Sequence, residues 1–429
     1  MARSSPTTPR EPLPEGFWTL WSTVAIDLIG FGIVLPILPQ YAEQFGASPA
    51  VIGVLVASFS LAQLVFAPIW GRLSDKVGRK PVLLVSLFGT AIGSLLTGVA
   101  GSVAVLFAGR IIDGASGASV SVAQASAADL ARPHQRAKLM GLLGAAFGVG
   151  FVAGPAIGAL GALAGVHVPF FLAAAISFVN ALVAIKRLPE TAPTKVTATA
   201  AVAGSDRGSG PGRSSALDDA ELDGDRIADA PALDGPGLVE PGHLEGPEHR
   251  REVDVAGIVR LIVVAFVGMV AFAGFEATFS LLGEKRFGFE LAATGAVFTG
   301  IGLALVAVQG GLVGPVTTAL GERSVLRLGL TANAVGLAVL AVDGGWLTLV
   351  PALLLLVVGQ GLLTPTLSSS VAGRAGHERG QWLGWQQSAG GLARVVGPVA
   401  AGVLFGQVGV AAPYVVGAVL VLVALALVP

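Results

Sequence analysis

Twelve apolar runs, separated by short polar stretches, lie roughly at 17–39, 50–70, 81–101, 103–127, 139–162, 169–188, 256–280, 293–315, 325–342, 347–370, 382–403 and 413–428. A helix needs about 20 mostly apolar residues to cross a bilayer, so each run predicts one membrane-spanning helix. The runs are too long and too evenly apolar for barrel strands, which would alternate over about 10 residues. With no water in the bilayer to satisfy backbone groups, helices are then the remaining solution. The first run, from Phe17 to Pro39, is too long for the core of a signal peptide, and no small-residue cleavage site follows it. It is expected to stay as the first span. The expected fold is an all-α polytopic membrane protein.

One stretch breaks the pattern. Residues 191–255 are rich in Gly, Pro, Ala and Asp and carry 13 acids against 6 bases. Such a segment cannot bury enough apolar surface to fold and is expected to be a disordered tether; a regulatory or partner-binding loop is the alternative. The chain then divides into a tail at 1–16, a six-helix bundle at 17–190, the connector at 191–255 and a second six-helix bundle at 256–429. The positive-inside rule supplies the orientation. With the N-terminus inside, all 26 Lys and Arg fall on cytoplasmic segments except Lys285 and Arg286 outside and Arg110 and Arg394 within spans. Both termini are then cytoplasmic, in a multi-pass inner (plasma) membrane protein.

Composition narrows the function. Apolar residues make up 53% and charged residues 12%, against about 25% charge in soluble domains. A net charge of −1 argues against nucleic acid as a partner. With no cysteine, disulfides, thiolate metal sites and cysteine catalysis are excluded. The sequence carries no metal-ligand cluster, nucleophile–base pair or phosphate-binding loop. The five histidines (His134, His167, His243, His249, His377) fall in loops. An enzyme is not expected, and neither is a metal or cofactor.

The halves are related. An offset of 243 residues carries Gly71 and Gly78 onto Gly314 and Gly321, Lys80 onto Arg323, and Gly154-Pro155 onto Gly397-Pro398. A shared offset at two separated motifs points to duplicated halves, as in many transporter folds. The second copy is eroded, with Thr318 in place of Asp75 and Glu322 in place of Arg79.

Several polar residues are expensive in a membrane and so are candidates for function. Asp27 lies near the middle of the first span. A carboxyl balanced between burial and a nearby cation can load and release a proton; a structural ion pair or hydrogen bond is the alternative. Arg110 and Asp113, spaced i, i+3 in the fourth span, share a helix face. Either Arg110 serves Asp27 or Asp113 neutralises Arg110. The fifth span carries Gly144, Gly148, Gly150, Gly154 and Gly158 with Pro155, a spacing that lets helix backbones touch. Between the second and third spans runs Gly71-Arg-Leu-Ser-Asp75-Lys-Val-Gly78-Arg79-Lys80. Its glycines allow tight turns. Asp75 can accept from a helix N-terminus or pair with Arg79. A polar or aromatic cavity could draw on Phe31, Phe151, Phe275, Glu276, Gln360, Gln386 and Arg394, with Asp27 or Glu276 as the counter-charge to Arg394.

The 71–80 loop resembles the loop between helices 2 and 3 of the major facilitator superfamily. Gly109-Arg-Ile-Ile-Asp-Gly114 resembles that family's span-4 motif, and Gly150-Phe-Val-Ala-Gly-Pro-Ala-Ile-Gly158 resembles the motif of its antiporters. Asp27-Leu-Ile-Gly-Phe-Gly-Ile-Val-Leu-Pro-Ile-Leu-Pro39, Pro169-Phe-Phe171, Pro189-Glu-Thr191 and Glu284-Lys-Arg-Phe287 are similar to the twelve-span tetracycline:proton antiporter group. The resemblance implies the major facilitator fold, with a cavity between the bundles and a 71–80 loop that clamps them on the cytoplasmic side. It also implies a proton-coupled role for Arg110 beside a span-1 acid. Two positions depart from the group: Gly93 and Asn333 stand where acids tied to tetracycline–metal export are usual. The expectation is therefore a monomeric drug:proton antiporter exporting small apolar or cationic compounds, with the proton as coupling ion. A transporter of a metabolite or sugar, and a membrane receptor or scaffold, are the alternatives.

Overall fold

The computed structural model describes residues 13–132, 135–192 and 253–429. Most of the expected connector, and His134, His243 and His249, therefore lie outside the described residues. The first bundle comprises α1 (Phe17–Val34), the short α2 (Leu38–Glu43), α3 (Pro49–Val77), α4 (Arg79–Gly98), α5 (Val103–Ser116), α6 (Ser119–Leu130), α7 (Arg136–Ala162) and α8 (Val168–Arg187). The second comprises α9 (Val255–Phe287), α10 (Leu291–Ala307), α11 (Val313–Leu320), α12 (Glu322–Ala341), α13 (Trp346–Arg374), α14 (Arg379–Gln407) and α15 (Ala412–Ala426). Among the described residues, eleven helical stretches are long and apolar enough to cross a membrane, counting α5–α6 and α10–α11 as one each. The twelfth run forms the shorter α15, whose start is set by Pro413 in its first turn. At about 1.5 Å per residue it is shorter than a full crossing.

Local chemistry explains where the helices begin and end. Ser48 caps α3 by accepting from the Val51 N–H, with Pro49 in the first turn. Asp254 caps α9 by accepting from the Gly257 N–H at 2.9 Å. Gly78 (φ 107°) and Gly321 (φ 77°) break the chain at equivalent places of the two halves. Only glycine adopts such angles without strain, so the 243-residue repeat is visible in the backbone. The repeat extends to packing. A Cβ on Gly154 would meet Gly32 of α1, and one on Gly397 would meet Val270 and Gly274 of α9.

Two spans expected as continuous helices are interrupted. The fourth span breaks at Gly117–Ala118, between α5 and α6. A break frees backbone groups that a bilayer cannot satisfy, and side chains of the neighbouring helices take them. Trp70 Nε1 donates to the Ala115 carbonyl at 2.6 Å, and Gln63 Nε2 donates to the Gly117 carbonyl at 3.1 Å. Ser86 Oγ donates to the Ser116 carbonyl and accepts from the Ala118 N–H at 3.2 Å. Trp70 thus holds an internal carbonyl. The eighth span contains a π-helical turn at Val308–Leu312, carrying Gly310-Gly311.

The bundles meet along two seams, α3 against α14 and α7 against α10. Both seams are built on glycine. A Cβ on Gly53 would strike the Pro398 carbonyl, and one on Gly402 the Pro49 carbonyl. A Cβ on Gly302 would strike the Phe151 carbonyl, and one on Gly295 would lie 2.9 Å from Ala159 Cβ. These contacts cluster toward the end of the molecule that carries α2, here the far end. At the opposite, basic end, added Cβ atoms on Gly71, Gly141, Gly144, Gly310, Gly311, Gly314 and Gly384 would meet nothing within 4 Å. The apolar core repeats this division. One cluster joins both bundles through Ile33, Tyr41, Ile52, Phe275, Phe279 and Leu330. A second, with Phe17, Leu20, Val82 and Leu139, belongs to the first bundle alone. The inter-bundle glycine contacts thus lie toward the far end.

Candidate functional site

The break in the fourth span positions the central polar site. Ser119, the first residue of α6, donates its hydroxyl to Asp27 Oδ2 at 2.5 Å. Asp27 is 9% exposed, and its Oδ1 has no partner among the described residues. α5 ends at Ser116, immediately before the break, and on that helix Arg110 Nη1 holds Asp113 Oδ2 at 2.9 Å. The Arg110 guanidinium also lies 4.4 Å from the centre of the Phe59 ring, a cation–π contact. Phe59 in turn packs against Phe31 at 5.3 Å. Thr90 lies beside Asp113, and the charge of Asp113 reaches Asp27.

Of the two pairings the sequence left open, this conformation holds Arg110 with Asp113 and Asp27 with Ser119. Gly93 makes room for the pair, because a Cβ there would lie 2.7 Å from Asp113 Cβ. Asp113 therefore fills the space into which a side chain at 93 would project. Removing one partner of a buried ion pair leaves an uncompensated charge and costs about 3–5 kcal/mol. Asp113→Ala is expected to lower thermal stability in detergent steeply, while Arg110→Met with Asp113→Ala recovers most of the loss. Equal instability of the single and double variants would contradict the pairing.

The glycine face of α7 is seated on the same stretch of α1. Cβ atoms on Gly150, Gly154 and Gly158 would approach Leu28, Gly32 and Ile33 to within 2.6–3.0 Å. A neighbouring face of α7, with Phe151 and Pro155, receives Gly302 and Gly295 of α10. One helix thus lies between the Asp27 segment and the second bundle. Gly144 and Gly148 differ. Gly144 faces open space, and Gly148 meets Val306 at 3.0 Å.

The stretch expected as a 71–80 loop is mostly helical, because α3 runs on to Val77 and only Gly78 separates it from α4; it is bound within its own bundle. Arg79 Nη1 pairs with Asp75 Oδ1 at 2.6 Å and donates to Ser74 Oγ at 2.6 Å, while Arg79 Nε holds Asp129 Oδ2 at 2.9 Å. The carboxylate at the N-terminus of α4 comes from Glu190, which accepts from the Arg79 N–H at 2.8 Å and the Lys80 N–H at 3.3 Å. An anion there complements the free N–H groups and the helix dipole. A Cβ on Gly78 would collide with that carboxylate, and Gly71 borders open space. Its eroded copy is wired differently: Glu322 accepts from Ser369 at 2.5 Å and Ser370 at 2.7 Å of α13.

The remaining candidates are dispersed. Glu276 is half-buried and Arg394 exposed; Arg394 is the cation whose charge reaches Glu276. Arg394 shares the α14 face with Gly391 and Pro398, which turns toward α3. Gln386 Nε2 donates to Ser368 Oγ at 3.3 Å, joining α14 to α13, whereas the Gln360 side chain bonds Thr364 of its own helix, at 3.4 Å. Phe275 is not on an open wall. It is 2% exposed and packs in a row with Phe272 and Phe279, because its position on α9 faces the shared apolar core. Phe31 and Phe151 are half-buried. Among the described residues no group of three or more His, Asp and Glu could hold a metal ion.

Sequence reasoning missed Ser119, Asp129 and the capping role of Glu190. The small, breaking residues Gly117-Ala118 just before Ser119 were the available signal for the first.

The profile of the Major Facilitator Superfamily matches residues 20–316 and 264–429. The class E tetracycline resistance protein of Escherichia coli is 32% identical over 381 residues, covering 88% of this chain and 84% of that protein. Multidrug resistance protein 2 of Bacillus subtilis (strain 168) is 26% identical over 390 residues, covering 91% of this chain and 88% of that protein. Among solved structures, the human organic anion transporter MFSD10 superposes with a TM-score of 0.65 at 24% identity, covering 96% of this chain and 99% of that one.

Proposed function

This chain belongs to the major facilitator superfamily, and from that premise we propose that it exports small apolar or cationic drugs in exchange for protons. The similarity to tetracycline and multidrug resistance proteins over most of the chain supports drug export. The observation that carries proton coupling is the seat of α7. A carboxylate at mid-span, Asp27, lies on the stretch of α1 against which the α7 glycines pack. A neighbouring face of that helix meets the second bundle. A change of charge at Asp27 is thus one helix away from the seam that must rearrange for alternating access.

With the basic end in the cytoplasm, as the Lys and Arg distribution implies, the inter-bundle glycine contacts lie toward the outside, the arrangement of an inward-open carrier. The 71–80 loop, tied to Asp129 and Glu190 rather than to the second bundle, fits that state. A drug enters from the cytoplasm, the far-end seams part to release it, and a proton from outside loads Asp27 for the return. No cofactor is required and the working unit is a monomer.

Gly93 and Asn333 keep tetracycline itself outside the proposal. A second substrate reading rests on Arg394. Among the described residues its exposed guanidinium makes no ion pair, which favours an anionic or zwitterionic group on the substrate. Reconstituted vesicles with an imposed proton gradient test both. Gradient-driven movement of the apolar cation ethidium is expected. Absence of dye movement, with movement of an organic anion instead, would favour the second reading.

A further inference from the structure

Two adjacent residues fasten the short helix α2 to different bundles. Pro36 lies in the turn after α1 and Pro39 in the first turn of α2. A proline cannot continue a helix through its missing N–H, so the chain breaks here and α2 projects onto α9 and α3. Tyr41 ties α2 to its own bundle. Its ring is fully buried with its centre 4.6 Å from that of Phe170 on α8, and its hydroxyl meets His167 Nδ1 at 2.8 Å. Gln40 ties the same helix to the second bundle. Its side chain is buried, and Nε2 donates to the Phe289 carbonyl at 2.9 Å and to the Ser280 carbonyl of α9 at 3.2 Å. Thr294 Oγ1 of α10 lies 3.5 Å from the amide oxygen.

We propose that α2 is a strap across the far-end seam and that Gln40 is its releasable pin, a positioning residue that sets how readily the bundles part at that end. Both N–H groups of the amide are spent on the backbone of the other bundle, and two carbonyl acceptors dictate which end of the amide is nitrogen. The α3–α14 and α7–α10 seams rest on close glycine packing; Gln40 adds directed bonds to it.

The main acceptor is held in place before the pin arrives. Gly288 (φ 64°) closes α9, and the Phe289 N–H bonds back to the Gly283 carbonyl at 3.1 Å. The Phe289 ring stacks on Phe287 at 5.2 Å and lies 5.5 Å from Trp346 of α13. Gln40 therefore reads a turn fixed by its own bundle, and its amide reaches α9 and α10 together.

A buried amide or carbonyl that loses its partner is costly unless water replaces it. Parting the bundles here therefore requires water to enter as the pin leaves. The seam then has two states, bonded and dry or parted and wet, with little between them. Because Tyr41 anchors α2 at home, the strap moves with the first bundle when Gln40 lets go. If the far end faces outside, as under Proposed function, the pin breaks once in each cycle. The strap itself does not require drug export.

The chain has no cysteine, so spin labels attach only at introduced sites. Ser102→Cys between α4 and α5, Gln44→Cys at the end of α2 and Gln407→Cys at the end of α14 are exposed positions of the far end. Double electron–electron resonance on the full chain in lipid nanodiscs reads the pair at 102 and 407 for bundle separation, and the pair at 102 and 44 for the seat of α2. The wild type is expected to show mainly the short distance between 102 and 407. Gln40→Met keeps the length of the side chain without its donors. It is expected to raise a population longer by about 5 Å or more at least about fivefold, as the loss of one or two net hydrogen bonds implies. Gln40→Asn, one methylene short of its acceptors, is expected to do the same and decides the matter if Gln40→Met fails to fold. In both, the distance between 102 and 44 stays at its wild-type value. Wild-type populations between 102 and 407 in a folded variant would overturn the pin. So would a change confined to 102 and 44, because Gln40 would then only seat α2. A wild type already dominated by the longer distance would overturn the strap itself.

Discussion

Asp27→Asn is expected to abolish proton-driven export while leaving the protein folded and able to exchange substrate. Asparagine keeps the size of the side chain and can still accept from Ser119, whose hydroxyl is the bond partner of Asp27 Oδ2. It cannot take up or release a proton. Gradient-driven ethidium export should fall by about 100-fold or more, the range of effects seen when an essential proton-transfer group is lost. Exchange of labelled for unlabelled dye across vesicles, which needs no net proton movement, should remain within a few-fold of wild type. Undiminished gradient-driven export would remove Asp27 from the coupling machinery. Loss of exchange as well would make it a structural or substrate-binding residue.

The second large effect is expected at Gly154. A side chain there must enter the backbone of α1, since an added Cβ would lie 2.6 Å from Gly32 Cα and 2.8 Å from the Ile29 carbonyl. Overpacking at flexible side chains costs about 1–3 kcal/mol, but here the obstacle is backbone on both sides. Gly154→Leu is expected to cut the amount of folded protein in the membrane at least about tenfold, the equivalent of about 1.4 kcal/mol. Gly144→Leu supplies the control, because a Cβ at Gly144 meets nothing within 4 Å. It should fold at wild-type levels. If both variants fold equally well, the contact of α7 with α1 is not tight. If Gly144→Leu fails like Gly154→Leu, the whole glycine run, rather than its α1-facing members, is under constraint.

The contrast between these two glycines shows what the sequence could and could not convey. Period and composition announce a span and a close-packing helix, but Gly144 and Gly154 look alike in a string. Only the rotation of α7 decides which one meets α1. The membrane-spanning plan was legible because a bilayer imposes length and apolarity on every span independently of its neighbours. The repeat was legible too, since Gly78 and Gly321 occupy a left-handed backbone position that other residues avoid.

Polar contacts between spans were harder to foresee. The partner of Asp27 is Ser119, 92 positions away, brought into reach by a helix break whose stability depends on Trp70, Gln63 and Ser86 of two other helices. The Asp75–Arg79 pair was within reach of local spacing, and it forms. The carboxylate capping α4 was not. Glu190 is 111 residues from Arg79, and nothing in its own neighbourhood marks it. Phe275 illustrates the opposite error. Aromatics at helical spacing on α9 read equally well as cavity wall or core, and the core face contains it.

Coupling of proton movement to substrate movement is the central claim, and it can be observed without imposing a proton gradient. Vesicles loaded with ethidium and a trapped pH indicator, bearing only a dye gradient and with the membrane potential clamped, report proton flux as dye moves down its gradient. Antiport predicts protons moving opposite to the dye in the wild type and no proton movement in Asp27→Asn. Dye movement through the wild-type protein at an unchanged internal pH would contradict antiport and leave a facilitated transporter.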